Sequence, residues 1–199
     1  VESLAIGYIA GYLRANSFDI KIVDEEVFGY TRQQTVKQLL NANLIGFTAM
    51  AKPQIFLIIA AVKELKKQGC AAHISIGGHY ATFLYKELLS LPGVFDSVVR
   101  FEGEQTFLEL AQAIETKKPL KGIKGLIFRE NGKIRENPPR LLMEDLDAVP
   151  FPARDTLPKV LEEGGLPVIS SSRGCYNRCS YCSISRFYSA AGGKPFRLR

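Results

Sequence analysis

Three of the four cysteines in this 199-residue chain, Cys175, Cys179 and Cys182, fall within eight residues of one another. They form C-x3-C-x2-C inside SSRGCYNRCSYCSISRFY. So tight a group is not a disulfide framework, and in a reducing compartment it is a metal or cluster site. Three thiolates on one loop can hold three irons of a 4Fe–4S cluster and leave the fourth iron open, whereas clusters that only carry electrons usually take four cysteines. An open iron is a place for a substrate or cofactor to chelate. The competing reading is a three-cysteine zinc site completed by a distant residue. Zinc sites favour paired C-x2-C spacings with a fourth ligand, and no His or Cys follows Cys182. The remaining cysteine, Cys70, reads as a small apolar residue at the start of a strand.

A second set of residues stands at the ends of predicted strands, where open α/β sheets bind their ligands. Thr48-Ala49-Met50 ends one strand, Gly77-Gly78-His79 the next, and Glu102-Gly103-Glu104 the one after. Glycines at such a position leave room for a ligand to approach the backbone. The plainer readings are an ordinary strand threonine, a common Gly-Gly turn, a loop histidine and an acidic helix N-terminus. His73 reads as a strand residue.

The elements that must position both sets follow from periodicity and punctuation. Residues 3–14 repeat apolar side chains near the helical period. Phe18–Val23 alternates and predicts a strand. Thr31 N-caps a helix through Leu40. Leu44–Met50 is an apolar strand, and Pro53 opens a helix to about Lys67. Ala72–Ile76 is a strand, Ala81–Leu91 a helix, Ser97–Phe101 a short strand and Glu104–Thr116 a helix. This alternation demands a doubly wound, mainly parallel α/β sheet with helices on both faces. Asn131-Gly132 between Gly125–Arg129 and Lys133–Glu136 is a hairpin signal. Six prolines in 138–167 mark an extended linker, and Pro167–Ser171 predicts a strand leading into the cysteines. The expected division is a doubly wound domain over 1–118, a hairpin and linker over 119–166, and the start of a second domain over 167–199. A doubly wound domain normally opens with a strand. The strand before the first helix would lie inside a sheet ordered 2-1-3-4-5, so the sequence reads as an N-terminally trimmed piece.

Composition narrows the classes. Apolar residues make up 46% and charged residues 23%, which excludes disorder and collagen-like repeats. No stretch approaches the roughly 20 apolar residues of a membrane-spanning helix, and no signal-peptide pattern opens the sequence. A soluble cytoplasmic protein with no membrane partner is the expectation. The formal charge of +6 is concentrated after residue 150. Such a basic segment suits an anionic substrate or cofactor, or nucleic acid if Arg173, Arg178, Arg186, Phe187 and Tyr188 stack and neutralise phosphates. Nothing else matches a nucleic-acid fold.

C-x3-C-x-aromatic-C, with Tyr181 at the aromatic position, resembles the signature of the radical S-adenosylmethionine (SAM) superfamily. The resemblance implies Cys175, Cys179 and Cys182 as ligands of a 4Fe–4S cluster and Tyr181 beside the adenine of SAM. It also implies an open iron that binds SAM, and reductive cleavage to a 5′-deoxyadenosyl radical. The segments LAIGYIAGYLRANSFDIKIVD, LIGFTAM, ISIGGHYATF, VVRFEGEQTF and VPFPARDTLP resemble the cobalamin-binding domain that precedes the barrel in one large class of that superfamily. The class includes the anaerobic Mg-protoporphyrin monomethyl ester cyclases and the cobalamin-dependent radical methylases. Thr48-Ala49-Met50 is similar to the Ser-x-Leu motif whose hydroxyl meets the benzimidazole. Gly77-Gly78 matches the glycines beside the nucleotide tail, His79 falls where the class often has Gly-Pro-His, and Glu102-Gly103 lies on the same ligand edge. The family's Asp-x-His-x-x-Gly motif, with its cobalt-ligating His, has no match, and Glu2 falls near that His position. Asp24, Glu26 and Gly29 share its spacing only by coincidence. The implied partners are a small-molecule or peptide substrate and an external electron donor of flavodoxin or ferredoxin type. The implied outcome is radical methylation or cyclase-type chemistry, in a chain that holds the cobalamin domain and the first strand of a barrel.

Overall fold

A computed structural model describes residues 2–199. Its centre is a five-stranded sheet in the order β1 (Leu44–Thr48), β2 (His73–Gly77), β3 (Ser97–Val99), β4 (Leu126–Glu130) and β5 (Lys133–Glu136). The first three strands are parallel, β4 runs antiparallel to β3, and β5 antiparallel to β4. Helices fill the crossovers, as parallel pairing requires: α3 (Arg32–Leu39) precedes β1, α4 (Lys52–Lys67) joins β1 to β2, α5 (His79–Phe83) and α6 (Tyr85–Ser90) join β2 to β3, and α7 (Glu104–Glu115) follows β3. The doubly wound expectation holds. The predicted hairpin also forms, with Asn131 and Gly132 both at positive φ as its turn demands, and it extends the same sheet.

Strand alternation assigns the two faces. Ile45, Ile74, Ile76, Val98 and Ile127 point to one side, where α4, α5 and α6 supply Ile55, Val62, Ala81, Leu88 and Leu89. Val99, Leu126 and Phe128 point to the other, against Leu110, Ala113 and Phe107 of α7. A row of small residues in register, Gly46, Ser75 and Ser97, lets α7 sit close. A Cβ on Gly46 would lie 2.6 Å from the Phe107 ring. Helix α1 (Leu4–Ala15) packs beside α7.

Three expectations are corrected. Phe18–Val23 is not a strand, because a strand exists only with a partner, and among the described residues no strand lies beside it. Its end is organised instead by α2 (Glu25–Phe28). Asp24 accepts hydrogen bonds from the Glu26 and Val27 amides, and Gly29 closes the helix at φ 62°, so the Asp24/Glu26/Gly29 spacing is capping chemistry. The Ala81–Leu91 helix is two helices that meet at Leu84. Pro167–Ser171 is also irregular. The strand lies one step later, as β6 (Ser172–Gly174), paired antiparallel with β7 (Phe196–Leu198). Gly174 makes that pairing possible: at φ 90° it lies so close to the Pro195 carbonyl that a Cβ would collide with it. Between the two strands lie the cysteines and α9 (Ser183–Ala190), and α8 (Leu157–Glu162) lies in the proline-rich stretch.

Candidate functional site

The parallel strands bring Thr48, Ala49, Gly77, Gly78 and His79 to one edge. The Ala49 amide donates to the Gly77 carbonyl at 3.0 Å and the Tyr80 amide to the Ala49 carbonyl at 3.1 Å. Gly78 sits at φ 93°, ψ 179°, a region almost reserved for glycine. A Cβ there would lie 2.6 Å from the Ala49 carbonyl and 2.9 Å from Thr48 Oγ1. Met50 differs from its neighbours: its side chain is exposed, and its amide donates to Gln54 Oε1 at 2.7 Å.

His79 stacks on Phe187 of α9, with ring centroids 4.0 Å apart and planes 23° apart. Its Nε2 is buried without a hydrogen-bond partner. Burial holds the imidazole below its ordinary pKa, so the neutral ring is the favoured form. Phe101, at φ 62°, and Tyr188 complete the aromatic cluster around Phe187.

Glu102 and Glu104 lie beyond the end of β3 and face the C-terminal segment. Glu102 Oε1 accepts from Arg173 Nη1 at 3.2 Å and Arg197 Nη2 at 2.9 Å. Its Oε2 accepts from Arg197 Nη1 at 2.9 Å and the Met143 amide at 2.8 Å. Arg173 Nη2 donates to Glu104 Oε1 at 2.6 Å. Burial alone would raise the Glu102 pKa, but the Arg197 bond, the Met143 amide and the two guanidinium charges outweigh it and hold the carboxyl below its usual range. Gly103 is the N-cap of α7 and carries no cap bond of its own. Two more arginines join the seam. Arg199 donates to the Val149 carbonyl at 2.7 Å and lies over the rings of Phe151 and Tyr8, while Arg154 meets the buried Glu2 at 2.7 Å.

The three clustered cysteines share the loop between β6 and α9. Every cysteine is a free thiol, and Cys179 is exposed while Cys175 and Cys182 are half-buried. The Asn177 amide donates to Cys175 Sγ at 3.4 Å, and the Cys182 amide to the Cys179 carbonyl at 3.1 Å. Among the described residues no three His, Cys, Asp or Glu side chains are gathered closely enough to hold a metal ion, so the loop presents its thiols spread. By donor type they still suit iron: three free sulfurs, one already receiving the N–H···S bond that tunes such clusters. Tyr181 is 90% exposed. Cys70 is buried near Ala72 and Leu65, but in the connection between α4 and β2 and not in the strand itself.

Both flanks of the cysteine loop therefore rest on the glycine-rich edge: Arg173 before it on Glu102 and Glu104, Phe187 after it on His79. No local signal revealed these contacts, because their partners are far apart in the chain. One surface depression is lined by Asn41, Asn43, Gly69 and His73 at the opposite edge of the sheet, and another, lined by Gln105 and Arg140–Met143, adjoins the Glu102–Met143 contact. No helix among the described residues is long and apolar enough to cross a membrane.

Comparison with known proteins fits this arrangement. An uncharacterized methyltransferase of Pyrococcus horikoshii is 33% identical over 189 residues, covering 92% of this chain and 40% of that protein. The anaerobic magnesium-protoporphyrin IX monomethyl ester cyclase of Synechocystis is 34% identical, covering 90% and 37%. The hopanoid C-3 methylase of Methylococcus capsulatus is 27% identical, covering 100% and 38%. The chain thus spans well under half the length of the curated relatives it matches. Among solved structures, the cobalamin-dependent SAM radical enzyme OxsB, with aqua-cobalamin and SAM bound, superposes with a TM-score of 0.77 at 24% identity, covering 91% of this chain and 26% of OxsB. The radical SAM methyltransferase TsrM of Kitasatospora setae gives 0.76 at 20%, covering 100% and 40%. At those identities the likeness speaks for the fold. The B12 binding domain family matches residues 1–111, and the chain belongs to that family.

Proposed function

We propose that this chain is the front part of a cobalamin-dependent radical SAM enzyme of the methylase or cyclase kind. The observation that carries the reading is the shared edge: the loop with Cys175, Cys179 and Cys182 is anchored on both sides to residues that follow β2 and β3, beside Thr48 and Gly77-Gly78. Two cofactors that act on one substrate must face one water-poor pocket.

In this reading the three thiolates hold a 4Fe–4S cluster and Tyr181 lies beside the adenine of SAM. The Thr48 hydroxyl meets the nucleotide base of cobalamin, and Ala49, Gly77 and Gly78 keep the strand ends free of side chains so that the tail can lie there. Such cofactors, when bound, supply the electron that cleaves SAM and the methyl carrier. The protein's part is to hold, orient and keep out water. Glu2, near the family's His position, is taken by Arg154. An external electron donor and a small-molecule or peptide substrate complete the proposal. Nucleic acid is the weaker reading: of the residues that would meet it, Arg173 is engaged by Glu102 and Glu104 and Phe187 is buried against His79, which leaves Arg178 and Arg186 as the exposed arginines.

The test is retention of hydroxocobalamin by the full-length protein after desalting under anaerobic conditions. About one corrin per chain, lost on substitution of Gly78 by a bulkier residue in a variant that still folds, supports the reading. A folded protein that holds a cluster but no corrin leaves a radical SAM enzyme whose front domain is empty.

A further inference from the structure

Glu102 has a second consequence for the site. Arg173 lies two residues before Cys175 on β6, and Arg197 lies on β7, directly across from it in the ladder. Both guanidinium groups converge on the one carboxylate, and Arg197 is 2% exposed. A fork of this kind tolerates little rotation or translation. The Glu102 backbone is fixed in turn: the Phe101 amide donates to Thr82 Oγ1 at 3.0 Å, and the ring of Phe101, held at positive φ, packs on Phe187. The Met143 amide brings the segment after β5 to the same carboxylate. At this contact Arg173 and Arg197 pair with Glu102 and Glu104, so undocking the segments leaves two arginines and two carboxylates without their partners.

We propose that Glu102 is a positioning residue that sets the distance and orientation of the cysteine loop relative to the glycine-rich edge, without touching either cofactor. The proposal rests on the function proposed above. It reassigns Glu102 and Glu104 from ligand contact to the seam between the sheet and the β6–β7 ribbon. Reactions between bound groups are lost steeply when their geometry loosens, so the seam controls how often SAM cleavage leads to transfer.

The experiment uses the full-length protein with Glu102→Gln and Arg173→Lys. Lysine keeps the charge but cannot hold both carboxylates in one fork. Two measurements are made: amide hydrogen exchange of residues 172–199 without cofactors, and the magnetic coupling between the reduced cluster and cob(II)alamin in the loaded protein. The expected result is exchange at least tenfold faster in 172–199, little change in β1–β3, and a broadened or weakened coupling at unchanged cluster and corrin content. Arg173→Lys should show the same pattern to a lesser degree, and it carries the test if Glu102→Gln does not fold. Unchanged exchange and coupling in a wild-type background that binds both cofactors would overturn the positioning role alone. A wild-type protein that takes up no cluster or no corrin would overturn the functional reading and the positioning role together, even if exchange showed the seam to be real.

Discussion

His79 and Phe187 stack 4.0 Å apart, one at the start of the helix after β2 and the other on the helix after the cysteines. Phe187 is almost fully buried, and the rings of Phe83, Phe101 and Tyr188 surround it. Replacing it with Ala removes the apolar anchor of α9. The expected loss is about 3–5 kcal/mol of unfolding free energy, read from chemical denaturation. A loss under about 1 kcal/mol would mean that α9 does not rest on His79 in solution.

Acid should loosen the same contact. The folded-state pKa of His79 is lowered by burial. His73, whose Nε2 lies 2.8 Å from Ser97 Oγ, is likewise lowered, first by burial and against the opposing charge of Asp96. With a depressed base, the unfolded chain takes the proton first. Stability is therefore full above the ordinary value of about 6.5 and is lost as pH falls from there through the folded pKa. Glu102 acts lower down. Its depressed carboxyl contributes above the ordinary value of about 4.3, and that contribution is lost as pH falls through its folded pKa. Denaturation midpoints at about pH 8 and about pH 5.5 check the histidines. The acid loss should shrink in His79→Phe, and an undiminished loss would contradict this account of the stack.

Gly77 and Gly78 should differ sharply although they are adjacent. Gly78→Ala forces a side chain into a glycine-only conformation and against the Ala49 carbonyl at 2.6 Å. The expected cost is about 2–4 kcal/mol, from strain and overpacking together. Gly77→Ala meets only Val99, its carbonyl at 3.3 Å and its Cβ at 3.7 Å, within strand β2, and should change stability by about 1 kcal/mol or less. Equal effects in thermal or denaturant melts would count against the close approach of the two strand ends.

Much of this architecture was legible because its signals are local. Thr31 caps α3 with Gln34 in a capping box, Pro53 opens α4, and Asn131-Gly132 turns the hairpin. Phe18–Val23 misled because alternation states which face is apolar but not whether a neighbour exists. Pro167–Ser171 misled for the same reason, since β6 forms only where β7 reaches it. The candidate site divided likewise. Thr48 and Gly77-Gly78 do lie together, because they end neighbouring parallel strands in register. The contacts of Glu102 and Glu104 with Arg173, Arg197 and the Met143 amide were not legible, because those partners come from far along the chain. The one available hint was the excess of arginine after residue 150, of which Arg154, Arg173, Arg197 and Arg199 find carboxylates of the same chain.

In the proposed function Cys175, Cys179 and Cys182 hold an iron–sulfur cluster with one iron open to SAM. Its most direct test is the electron paramagnetic resonance spectrum of the anaerobically reconstituted, reduced full-length protein, with and without SAM, alongside iron and acid-labile sulfide analysis. The account predicts about four irons and four sulfides per chain, a signal that SAM perturbs, loss of both on Cys179→Ala, and retention of both on Cys70→Ala. Zinc with no labile sulfide, or a cluster whose spectrum SAM leaves unchanged, would contradict it.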